Sequence, residues 1–179
     1  MRVPGPIALR AADDAERPEN LTVREENGPN RGKYVETYLK AVGLGPGYAW
    51  CGAFVRFRLE KAAAALGLEI PRGFPDSAYT PDYAAWAKRE GLWIPISDPD
   101  KVMRGDLGCF YFRAKGRIAH IGIVVQQFSS PRRRCVTVEG NTGPADAAGA
   151  VQREGDGVYR KYRDISDFGE YGGFVRLPW

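Results

Sequence analysis

Histidine occurs once and cysteine only three times in this chain of 179 residues. The cysteines, Cys51, Cys109 and Cys135, form no C-x-x-C pair, so a disulfide framework is excluded and each thiol needs its own explanation. A zinc site is disfavoured on the same ground. Cys51, Cys109, Cys135 and His120 are ligand types for zinc, but they lack the short spacings that mark such sites. Long apolar runs are also missing. None approaches the roughly 18 residues that a membrane span needs, and Ile121 to Val125 has the length of a strand. Met1 to Pro18 carries Arg2 and Arg10 but a broken apolar stretch followed by Asp13, Asp14 and Glu16, so it does not read as a secretory signal. Work outside the cytoplasm therefore implies release by lysis or a dedicated carrier.

What is present suits a globular domain. Hydrophobic residues make up 44% and charged residues 27%, in a length that buries a sizeable core within one domain. The net charge of +4 favours anionic partners such as wall polymers, nucleic acid or acidic lipid headgroups, but the excess is mild and no nucleic-acid partner is expected. Residues 1–22 read as an N-terminal arm that docks or frays, and residues 23–179 as the domain.

Periodicity divides that domain. After the turn residues Asn27 to Asn30, a stripe of Tyr34, Val35, Tyr38, Leu39 and Val42 predicts a first helix, closed by Gly43. Cys51, Val55, Leu59, Ala62 and Leu66 recur at helical spacing, Arg56 can pair with Glu60, and Gly67 suits the C-terminal cap of a second helix. Cys51 then lies in the first turn on the inward face. Thr80 and Pro81 supply cap and first position for a third helix through Tyr83, Trp86 and Ala87, ending at Gly91. From there the period becomes that of strands at 107–112, 118–125, 136–141 and 173–177. Helices first and strands later indicate an α+β fold with helices packed on an antiparallel sheet.

The residues that carry chemistry fall at particular places in this scheme. A helix N-terminus favours a thiolate, and Cys51 sits at one. A nucleophilic thiol needs a base held by a third polar group, and His120 is the one histidine available. Alternation along the strand puts His120 on a face with Ile118, small Gly122 and Val124. A hairpin register opposing His120 to Glu139 centres its connection between Ser129 and Ser130, where turn residues occur. Glu139 and Asn141, two apart, then both project toward His120, so either could orient the ring. Of the aromatics Tyr48, Trp50, Tyr83, Trp86 and Trp93, most read as core, and Tyr48 and Trp50 are the candidates for a substrate groove. Arg113, Lys115, Arg117 and Arg132 to Arg134 read as one solvated basic edge on neighbouring loops.

Four segments in order, Tyr48 to Val55, Arg104 to Leu107, Ala119 to Val124 and Val138 to Thr142, resemble the CHAP domain of the NlpC/P60 superfamily of papain-like cysteine hydrolases, over residues 25–179. The resemblance implies a papain-like fold and cleavage of peptidoglycan amide bonds, either between muramic acid and the stem peptide or within peptides and cross-bridges. It makes Cys51 the nucleophile, His120 the base and Glu139 the orienter, with Asn141 in support. It also implies bacterial peptidoglycan as the partner, as for a phage lysin or an injected antibacterial effector. No D-x-D-x-D-G loop is present, so neither calcium nor any other cofactor is expected. Two rival readings share these residues: a wall-binding module without turnover, and an intracellular amidase for a small substrate.

Overall fold

The sixteen residues Cys51–Leu66 form helix α4, the longest helix among the described residues of the computed structural model, which describes residues 2–129, 134–144 and 154–179. Cys51, Phe54, Val55, Arg58, Leu59, Ala62 and Ala63 are its buried stripe, at the spacing expected of an inward helical face. Full burial of side chains such as Phe54 or Leu59 contributes about 1.5–3 kcal/mol each. Gly67 ends the helix with φ of 65°, a left-handed conformation that glycine adopts without steric cost. Arg56 and Glu60 form the expected pair at 2.8 Å.

Among the described residues there are four further α-helices: α1 Pro6–Ala15, α2 Pro18–Leu21, α3 Lys33–Ala41 and α5 Thr80–Arg89. Of the two outcomes expected for the N-terminal arm, the structure shows docking. Ile7, Ala8, Ala11, Ala12 and Ala15 are buried in the main core, and the Gly5 N–H donates to the Leu177 carbonyl at 2.8 Å, which ties the start of the chain to its end. The stripe was weak in the sequence because it is built mostly of alanine. At α5 the cap differs from expectation. Tyr79 is the N-cap, and the Thr80 hydroxyl donates instead to the Ile118 carbonyl at 3.1 Å.

The sheet is antiparallel, with order β1-β6-β2-β3-β4-β5. Its strands are β1 Trp93–Pro95, β2 Leu107–Phe112, β3 Arg117–Ser129, β4 Arg134–Thr142, β5 Gly157–Asp164 and β6 Gly173–Val175. Leu107, Cys109, Ile121, Ile123, Val136 and Val138 join the core shared with the helices. Phe110, Val124, Cys135, Phe168 and Phe174 form a second cluster. The overall class is thus α+β, as the change of period predicted.

The register of the β3–β4 pair corrects the one expected from the sequence. Ile123 pairs with Val138 and Ser129 with Arg134, with irregularities between, so the connection is 130–133, outside the described residues. Ser130, placed at the centre of the turn by the sequence, belongs to that connection. Continuing the Ile123–Val138 pairing by one step sets Glu139 beside Gly122, two residues from the predicted partner His120. A shift of two preserves the face, because side chains alternate with period two.

Candidate active site

Each candidate side chain is placed by a different element. Cys51 opens α4, where the backbone N–H groups of the first turn have no partner within the helix. Gly140 of β4 lets this helix start approach the sheet: a Cβ there would lie 2.7 Å from the Trp50 ring and 2.8 Å from the Phe54 Cβ. His120 lies on β3, fully buried. Glu139 lies on β4 and reaches His120 across Gly122, whose missing Cβ would stand 2.5 Å from the Glu139 Cγ. The room that the sequence shows beside His120 is therefore filled by the carboxylate.

The contact that results is a hydrogen bond of 2.8 Å between His120 Nε2 and Glu139 Oε2. Among the described residues the other ring nitrogen, Nδ1, has no hydrogen-bond partner of good geometry, while the Cys51 sulfur stands close enough to act on the ring electrostatically. Burial disfavours the protonated ring, but the Cys51 sulfur and the Glu139 carboxylate outweigh it, and the His120 pKa is raised to about 9.

Glu139 has further partners that the sequence reading missed. Arg163, on β5, donates from Nε to Oε1 at 2.8 Å and from Nη2 to Oε2 at 2.6 Å, and the Thr137 hydroxyl donates to Oε1 at 2.5 Å. Burial raises the carboxyl pKa, yet Arg163 and His120 together hold it far below the usual carboxylate range. The Arg163 guanidinium lies 5.1 Å from the centre of the Phe110 ring, which in turn stands 5.3 Å from the His120 ring. The signal for Arg163 was faint. No strand was expected over Gly157–Asp164, and only its register, Cys135 with Arg163 and Thr137 with Lys161, shows that Arg163 shares a face with Thr137 and Glu139.

Asn141 does not join this group. One extra residue in β4 between the pairs Glu139–Tyr159 and Thr142–Gly157 breaks the alternation, and Asn141 adopts a positive φ of 57°, which asparagine tolerates better than most residues. In the amide orientation that satisfies both neighbours, Oδ1 accepts from the Trp50 N–H at 3.1 Å and Nδ2 donates to the Gly155 carbonyl at 3.0 Å. The expectation of two polar neighbours for His120 is thus corrected to one, Glu139. Asn141 braces the start of the helix that carries Cys51.

Cys51 opens onto a groove of about 470 Å³ bordered by Leu44, Tyr48, Ser77, Tyr79, Arg117 and Ala119, among others. Tyr48 is on its wall and 57% exposed, free to meet a ligand. Trp50 is not in the groove, contrary to the reading of it as a substrate residue. It is fully buried, its ring 5.8 Å from that of Tyr38 and its Nε1 donating to Glu25 at 2.9 Å, because as the N-cap of α4 it turns inward. Tyr83 and Trp86 are likewise core. The supposed basic edge also divides: Arg134 pairs with Asp164 at 2.8 Å, Arg117 lines the groove, and Arg132 and Arg133 lie outside the described residues.

A thiol at a helix start, an imidazole beside it and a carboxylate behind the imidazole can carry out acyl transfer through a thioester. Comparison with protein-family models, with curated proteins and with solved structures gives no match.

Proposed function

We propose that this chain is a cysteine amidohydrolase that cleaves an amide bond of bacterial peptidoglycan, on a papain-like fold of the NlpC/P60 kind. The observation that carries the reading is that the single histidine stands between a cysteine at the groove and a buried carboxylate to which it is hydrogen-bonded. The resemblance of four segments to the CHAP domain supplies the substrate.

In the proposed reaction His120 Nδ1 takes the Cys51 proton, and the sulfur attacks the scissile carbonyl carbon. The Cys51 N–H at the helix start donates to the oxyanion that develops. As the C–N bond breaks, the imidazolium returns its proton to the leaving amine, and a thioester remains. Water, deprotonated by His120, then attacks the thioester and releases the carboxylic acid and the thiol. Glu139 holds the ring and stabilises its cationic form throughout, in the manner of the third member of a triad.

The test is digestion of purified wall sacculi followed by mass spectrometry of the soluble muropeptides, with the Cys51→Ala protein as control. New amine and carboxyl termini in the wild-type digest alone are expected, and their positions identify the bond. Equal release by both proteins, or by neither, would remove the reading.

A further inference from the structure

We infer that the groove at Cys51 takes a peptide bearing a free carboxylate close to the scissile amide, and that Arg117 is the residue that binds this carboxylate. The inference rests on the proposed hydrolase reading and narrows its substrate class.

Arg117 begins β3, three residues before His120, and lines the same groove as Cys51. Two contacts hold it in place. Its Nη1 donates to the Ile118 carbonyl at 3.1 Å, and its guanidinium carbon lies 5.0 Å from the centre of the Tyr79 ring. Neither contact neutralises its charge. Several other arginines differ: Arg104, Arg134, Arg160, Arg163 and Arg176 each hold a carboxylate of the protein, whereas Arg24 and Arg58, which also make no ion pair among the described residues, are held by backbone carbonyls and by Tyr38 away from the groove. Among the described residues Arg117 forms no such pair.

Among the described residues the groove supplies no internal partner either: the one acid in its lining, Asp76, lies 3.8 Å from Arg56 and makes no ion pair with Arg117. Ala49, Ala78 and Ala119 leave the wall near Cys51 low enough for a peptide backbone. An oriented guanidinium with unused N–H donors beside an open groove matches the planar, two-point geometry of a carboxylate. Because Tyr79 and the Ile118 carbonyl already restrict the side chain, little rotamer freedom remains to be lost when a ligand arrives.

The experiment measures binding to the catalytically silent Cys51→Ala protein by calorimetry. The probes are a synthetic stem-type peptide with free carboxylates and the same peptide with every carboxylate amidated. A charge-assisted pair predicts that amidation weakens binding about tenfold to a hundredfold. Adding Arg117→Gln should bring both peptides to the same weak affinity, and Arg117→Lys, which keeps the charge but not the fork, should fall between. Thermal unfolding of each variant confirms that it is folded. Equal affinity for the two peptides, absence of binding by both, or a preference that survives Arg117→Gln overturns the inference. Discrimination of the peptides together with no release from sacculi by the wild type would instead sustain Arg117 and refute the hydrolase reading.

Discussion

Arg163 grips Glu139 through both carboxylate oxygens, at 2.8 Å and 2.6 Å, and both side chains are buried. Glu139 also holds His120, so the carboxylate links a permanent cation to a titrating one. In a buried site a lone carboxylate would take up a proton and could no longer accept the His120 N–H. Arg163 keeps it ionised, and its two-point contact fixes the carboxylate plane so that Oε2 remains aimed at the ring.

Removal of Arg163 should therefore be costly. Arg163→Met leaves Glu139 buried with only Thr137 and His120 as partners, and unfolding in urea should show a loss of about 3–5 kcal/mol. The double variant Arg163→Met with Glu139→Gln should recover part of that loss, because it removes the stranded charge along with its partner. A single-variant loss below about 0.5 kcal/mol would mean that the pair contributes nothing to the fold.

The state of His120 can be read directly, since no other histidine contributes ring signals. NMR titration of the wild type should give a pKa near 9. Cys51→Ala and Glu139→Gln should each lower it, because each removes a group that favours the protonated ring. A pKa unchanged in both variants would place the cause elsewhere.

The same shift has a consequence for stability. The folded-state pKa of His120 lies above its unfolded value, so its contribution is complete below pH about 6.5 and is lost as pH rises through about 9. Glu139 has the opposite sign: its folded pKa is depressed, so its contribution is present above its unfolded pKa and is lost in acid. Chemical denaturation from pH 6 to 10 should show an alkaline decline on the order of 3 kcal/mol at most, reduced in Glu139→Gln. The absence of any alkaline decline in the wild type would contradict this.

The three thiols should differ in reactivity. Burial pushes the Cys109 and Cys135 thiols well above their ordinary pKa, whereas Cys51 lines the open groove beside His120. A small alkylating reagent at neutral pH, followed by peptide mass mapping, should modify Cys51 at least about tenfold faster than either of the others. Comparable rates at all three would argue against a special environment for Cys51.

Much of this arrangement was legible before the structure, for identifiable reasons. Cys51–Leu66 announced itself by helical spacing and a terminal glycine, and Leu107–Phe112 by its apolar run. His120 and Glu139 were placed on one face by period two alone, which survives the two-residue error in register. What was missed depends on partners distant in sequence. Nothing local distinguishes Arg163 from the other charges of β5, and its burial comes from pairing with β4. The inward turn of Trp50 follows from packing on Tyr38, and α1 was obscured because alanines carry little hydrophobic signal.

Asn141 is where sequence and structure part most clearly, and it gives the last prediction. Alternation makes it a second candidate to orient His120, but the irregularity in β4 sends its amide to the Trp50 N–H and the Gly155 carbonyl. Its contribution should then be to the position of the α4 start, not to the charge of the ring. Asn141→Ala leaves two backbone groups without a partner and should cost roughly 1–3 kcal/mol in unfolding experiments, while His120 keeps its titration. Any loss of turnover should follow from displacement of Cys51. Glu139→Gln should behave in the reverse way at the ring, with a lower His120 pKa and a larger loss of turnover in the hydrolysis proposed here. If Asn141→Ala moves the His120 pKa more than Glu139→Gln does, the orienting role passes to Asn141 and the bracing role is wrong.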